Sequence, residues 1–163
     1  MVVELGNATV AIATVALILH VLSAVVWVGG MFFALAVLRP ASGPLDPPAR
    51  LALWHRVLDR FFRWVIAAIV LLLLSGYAMV LWVFGGFAGV GLHVNLMQAI
   101  GIVMVLIFLH VYFAPWKRFR TAMAAGDYPR AAAQLNQIRW LVTLNLVLGL
   151  VVVAVGSSGR YWG

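Results

Sequence analysis

Residues 64–116, WVIAAIVLLLLSGYAMVLWVFGGFAGVGLHVNLMQAIGIVMVLIFLHVYFAPW, run for 53 positions without a charged side chain. An α-helix rises about 1.5 Å per residue, so about 20 apolar residues cross the 30 Å hydrocarbon layer of a bilayer. This stretch is long enough for two crossings. The glycines of Phe84-Gly85-Gly86-Phe87-Ala88-Gly89-Val90-Gly91 mark the turn between them, because glycine adopts helix-breaking conformations at little steric cost.

Outward from that stretch lie two more charge-free runs, residues 5–38 and 140–159. The first gives one helix, ending at Arg39-Pro40, and the last gives another. The expected fold is all-α: an integral membrane four-helix bundle forming a single transmembrane domain over residues 1–163, with helices at about 12–38, 64–84, 92–115 and 136–157. Composition agrees. Hydrophobic residues make up 66% of the chain and charged residues 9%, where soluble domains carry roughly a quarter charged. So short a chain cannot hide that much apolar surface from water, and its main partner is the lipid bilayer.

The scarce charges set the expected orientation. Arg39, Arg50, Arg56, Arg60 and Arg63 lie between helices one and two, and Lys117, Arg118, Arg120, Arg130 and Arg139 between helices three and four. The glycine-rich connection has none. The positive-inside rule makes both basic loops cytoplasmic and both termini external, as in a multi-pass protein of the bacterial inner membrane. The net charge of +7 is then a topology signal. A nucleic-acid partner, which needs basic residues gathered on a soluble face, is not expected. Glu4 and the long apolar run after it read as a retained helix, not a cleaved signal peptide. Pro47-Pro48 opens an interfacial helix at about 48–62 with interleaved arginines. Within it His55 is expected at headgroup level, paired with Asp59 one turn on. Gly126-Asp127-Tyr128-Pro129 reads as a turn, with Pro129 at the start of helix four.

Few residues are left for chemistry. The absence of cysteine excludes disulfides, thiolate zinc sites, iron–sulfur clusters and covalently attached haem. The four acids all lie outside the spans, which argues against hydrolysis by a triad or paired carboxylates. Ionisable groups within a membrane are costly, so His20, His93 and His110 are the functional candidates. Helical rise puts His20 roughly 28 Å above Arg39, and His93 roughly 36 Å and His110 about 10 Å above Lys117. His20 and His93 thus share the outer half, with Met97, roughly 30 Å up, as a competing partner for His20. Imidazole and thioether ligate both haem iron and copper. A membrane histidine can equally hydrogen-bond across helices, and Asn95, Gln98 and Asn145 are expected to face the bundle in that way. Met79, Met97 and Met104 read as packing ahead of a copper ladder. In Trp27-Val28-Gly29-Gly30 the glycines admit close approach of a neighbouring helix or a flat macrocycle, and Gly76 and Gly149 serve similarly.

Taken together, Leu19-His20 through Trp27-Val28-Gly29-Gly30 to Leu38-Arg39-Pro40, then Arg60-Phe61-Phe62-Arg63-Trp64, Ser75-Gly76-Tyr77, Leu92-His93-Val94-Asn95-Leu96-Met97 and Pro115-Trp116-Lys117-Arg118-Phe119, resemble the copper-resistance protein D family from about residue 15 to 160. That resemblance implies copper movement across the inner membrane, although the larger eight-helix architecture of those relatives is not present here. The layout is also similar to HemJ-type haem-binding protoporphyrinogen oxidases. That family's helix-one histidine falls on His20 and its helix-three element on Gly91 to Asn95, with Asn95 standing where the family has lysine.

The leading expectation is non-covalent haem b in the outer half, with His20 as one axial ligand and His93 or Met97 opposite. His110, Trp27, Gly30 and Asn95 complete the candidate set. The role would be electron transfer or a membrane oxidoreductase reaction, with quinone or a redox protein as partner. One alternative is a copper-binding or copper-transporting protein using His20, His93 and Met97 or Met104. Another is a non-catalytic accessory subunit whose histidines only tie helices together. A second copy of the chain is among the expected partners.

Overall fold

The computed structural model describes residues 2–161. Helix α1 is α-helical over Val2–Ala24, widens into π-helical turns at Val25–Gly29 and Phe33–Leu38 on either side of Gly30–Phe32, and closes with Arg39–Ala41. Pro40 in that last turn has no N–H to donate, and its ring crowds the carbonyl four residues back; the wide turns precede it. Then follow α2 (Pro47–Trp82), α3 (Leu92–Phe113), α4 (Pro115–Ala124) and α5 (Tyr128–Ser158). Thr9–Ala41, Pro47–Trp82, Leu92–Ala124 and Tyr128–Ser158 are each long and apolar enough to cross a membrane. The four-span all-α fold is as expected. Gly85 and Gly86, with φ of 70° and 106°, make the turn between the second and third spans.

The helices nevertheless extend further than the charge pattern suggested. The stretch expected as a separate interfacial helix is continuous with the second span in one 36-residue helix. No glycine or proline falls between residues 49 and 75, and arginine is a good helix former. Its start is fixed by Asp46, whose carboxylate accepts from the Ala49 N–H at 3.2 Å, with Pro47 in the first turn. Helix α5 likewise begins at Tyr128 rather than near 136, because the Asp127 carboxylate accepts from the Arg130 N–H at 3.0 Å. The third helix, by contrast, ends at Phe113, two residues short of the expected boundary near 115. Ala114 (φ −110°, ψ −85°) breaks the helix before Pro115, and the chain restarts as α4, whose Trp116, Phe119 and Ala122 are buried.

The chain packs as two hairpins, α1 on α2 and α3 on α5, with α4 folded against α5. The hairpins join through the halves nearer the two basic loops. There the π-helical part of α1 meets α5, and Trp27, Met31, Phe62, Phe108, Trp116 and Ile138 share one core. Phe62 is the hub, with ring centroids 5.6 Å from Phe108, 6.3 Å from Tyr112 and 5.3 Å from Trp116, all edge-on. Toward the glycine-turn side the Val2–Ala24 part of α1 packs mainly on α2. Its Leu17, Ile18 and Leu22 are exposed, as side chains facing lipid should be.

One local expectation is corrected. His55 does not pair with Asp59. It stacks on Trp116 and Phe119 at 5.4 and 5.9 Å, while Asp59 pairs with Arg63 at 2.8 Å. Arg63 is spaced from Asp59 as His55 is, but its permanently charged guanidinium is the stronger partner, and the less polar imidazole turns to the aromatic wall.

Two outcomes are expected. Phe62→Ala should lower unfolding free energy in detergent titrations by about 3–5 kcal/mol, whereas Phe113→Ala, at a position 69% exposed, should stay within about 0.5 kcal/mol. In the otherwise cysteine-free chain, a membrane-impermeant maleimide applied to intact cells should label Ala88→Cys in the glycine turn. It should not label Ala125→Cys in the second basic loop.

Candidate functional site

His20 is half-buried on the face of α1 that meets α2. Its Nδ1 lies 3.1 Å from Ser75 Oγ, and its Cε1 lies where a Cβ on Gly76 would approach to 3.2 Å. The Ser75 hydroxyl donates to the Leu71 carbonyl one turn back. With its own proton on that carbonyl, the hydroxyl oxygen is placed to accept from Nδ1–H, and in that tautomer the Nε2 lone pair is available. Metal-binding imidazoles are held in this way, by an oxygen on the opposite nitrogen. A histidine that only ties two helices makes the same bond.

His93 and Met97 sit one turn apart on α3, and both point at the end of α5. The base of the His93 ring lies against Gly159 and the Met97 methyl against Gly156, where an added Cβ would come within 2.9 Å of it. Met104 continues the same stripe against Gly149, at 3.1 Å from such a Cβ. Positions 93, 97 and 104 on one helix thus meet 159, 156 and 149 on its antiparallel neighbour. Each glycine makes room for a large side chain between two closely packed backbones. Met104 is fully enclosed in the core, so packing is its role. The glycine spacing on α5 and the matching methionine spacing on α3 were present in the sequence, yet Gly156 and Gly159 were not singled out there, and Ser75 only as the neighbour of Gly76.

The structure therefore brings His93 and Met97 together and holds His20 on the other hairpin. The remaining candidates separate from them. The inward stripe of α3 runs through Met97, Met104, Phe108 and Val111, and helical periodicity leaves Asn95 and His110 outside it. Both are exposed, so Asn95 does not face the bundle as expected and His110 enters no enclosed site. Trp27 is 4% exposed and packs edge-on to Phe108, with centroids 6.4 Å apart. Gly30 admits the Phe61 ring of α2. The cavity beside Trp27, lined also by Met31 and Asn145, measures about 10 Å³, room for about one water. Asn145 is buried there as expected, with its Oδ1 unpartnered. Trp27 and Gly30 thus pack helices against one another. Among the described residues no three of His, Asp and Glu gather at one point; the histidines His20 and His93 lie on different hairpins.

The family model for copper resistance protein D matches residues 55–158 of the chain. No curated protein and no solved structure matches. The chain belongs to the copper resistance protein D family. The matched region runs from α2 to the end of α5 and holds Ser75, His93 and Met97, while His20 lies before it.

The glycine ladder gives a direct test. Gly156→Ala meets only the mobile end of Met97 and should cost under about 1 kcal/mol, while Gly159→Ala drives into the fixed base of His93 and should cost about 1–3 kcal/mol in detergent unfolding.

Proposed function

We propose that this member of the copper resistance protein D family binds copper as cargo in the half of the bundle nearer the glycine turn and passes it across the bilayer. His93 and Met97 are the first ligands, and His20 is a further ligand on the opposite hairpin. The observation that carries this reading is the juxtaposition of an imidazole and a thioether, one turn apart on α3, in a chain of that family. Thioether and imidazole are the neutral ligands that suit copper, the thioether selecting Cu(I) in particular. Neutral ligands do not cancel the charge of the ion as thiolates do, which suits a site that must release what it takes up. The His20 Nε2, turned away from Ser75, supplies a third neutral donor of the same kind.

The test is anaerobic Cu(I) titration of the detergent-purified chain against a chromogenic chelator, with the absorption spectrum recorded alongside. His93→Ala combined with Met97→Ala should weaken binding at least tenfold. Ser75→Ala, which releases the His20 ring, should weaken it by about 10–100-fold while leaving the fold intact. Bound copper without a Soret band supports the proposal. A Soret band that is lost in His20→Ala would instead identify non-covalent haem b on that histidine and overturn the copper reading. If no metal or chromophore is retained and only thermal stability changes, the histidines are helix ties.

A further inference from the structure

At the opposite end of the bundle, where α2 and α5 both begin, lies a cavity of about 300 Å³ lined by Pro47, Arg50, Tyr128, Leu135, Asn136 and Arg139 among others. Its cations are poorly matched within the chain. The Arg139 guanidinium lies over the Trp54 ring, 4.7 Å from the centroid, and touches Asn136 Oδ1 at only 3.4 Å. Arg50 reaches only the Gly43 carbonyl, also at 3.4 Å. Both are at the weak limit of a hydrogen bond. The Nε of Arg139 is buried with no partner. The charges of Arg39 and Arg50 both bear on Arg139, and among the described residues no carboxylate pairs with any of the three. The neighbouring acids are already engaged, Asp46 by the Ala49 N–H and Asp127 by the Arg130 N–H.

Burial and then the charges of Arg39 and Arg50 both act against the Arg139 guanidinium, and an anion among the three would relieve this. Two further features point the same way. The N-terminal turns of a 36-residue and a 31-residue helix open onto the cavity, and helix N-termini favour negative charge. Arginine forks also match the oxygens of a phosphate in pairs. Trp140, next to Arg139 and 66% exposed, places this level at the membrane interface, where tryptophan gathers and lipid phosphates lie.

We propose that the Arg50–Arg139 cavity is a binding site for a phosphate group, carried on an anionic phospholipid headgroup or free in the aqueous phase on that side. It stands independently of the copper site. The test is thermal unfolding of the full chain in neutral detergent with short-chain phosphatidylglycerol, short-chain phosphatidylcholine, or inorganic phosphate. The wild type should be stabilised in a saturable way. R50Q/R139Q should bind at least about tenfold more weakly, R50K/R139K should fall between, and R60Q, at an exposed arginine elsewhere on α2, should match wild type. Stabilisation by phosphatidylglycerol alone identifies the headgroup; stabilisation by inorganic phosphate identifies the free anion. No shift with any of the three, or a shift that R50Q/R139Q and R50K/R139K retain in full, would overturn the proposal.

Discussion

The arrangement of this bundle depends on the edge-on packing of Phe62 against Phe108, Tyr112 and Trp116. In lipid the hydrophobic effect no longer draws apolar helices together, because acyl chains solvate leucine as well as another leucine does. What remains is shape, and rings meeting edge to face supply attraction beyond their area. The seam couples α2 to α3 and α4 and is extended by Trp27 on Phe108. It also explains the break at Ala114-Pro115. A straight α3 would carry Trp116 past the bundle, whereas the restart as α4 returns Trp116 and Phe119 to the core.

Because the seam occupies only one half of the bundle, the other half is free to keep its hairpins distinct. His20 is fixed by Ser75 within the first hairpin, and His93 and Met97 by glycines within the second. Neither arrangement needs the other hairpin to form. That independence suits a site whose ligands belong to different rigid pieces, since closing around an ion then costs motion between hairpins and not within them.

The four spans were legible because charge is excluded from hydrocarbon, and a missing charge is easy to see in a sequence. Helix ends were not, because charge does not stop a helix. Arg50 to Arg63 lie in an unbroken helix that simply projects beyond the apolar part, and Asp46 and Asp127 decide where α2 and α5 start. The proposed site was half legible for a related reason. Residue type and depth single out His20, His93 and Met97. Which way a side chain faces is hidden when every face of a helix is apolar, since both lipid and partner helix accept leucine. Only contacts reveal that Asn95 and His110 look outward. The one readable cue was the pairing of glycines 149 and 156 with methionines 97 and 104, a pattern of sizes where polarity carries no information.

The two ends of the molecule are electrically opposite in design. On the copper proposal, His20, His93 and Met97 offer neutral donors, so a copper ion arriving there would keep its charge. Around Arg39, Arg50 and Arg139 it concentrates positive charge that no carboxylate among the described residues offsets. A cation moving toward that end works against Coulomb repulsion, and low dielectric makes the repulsion stronger than it would be in water. On the phosphate proposal, an anion held among the arginines would remove much of that field.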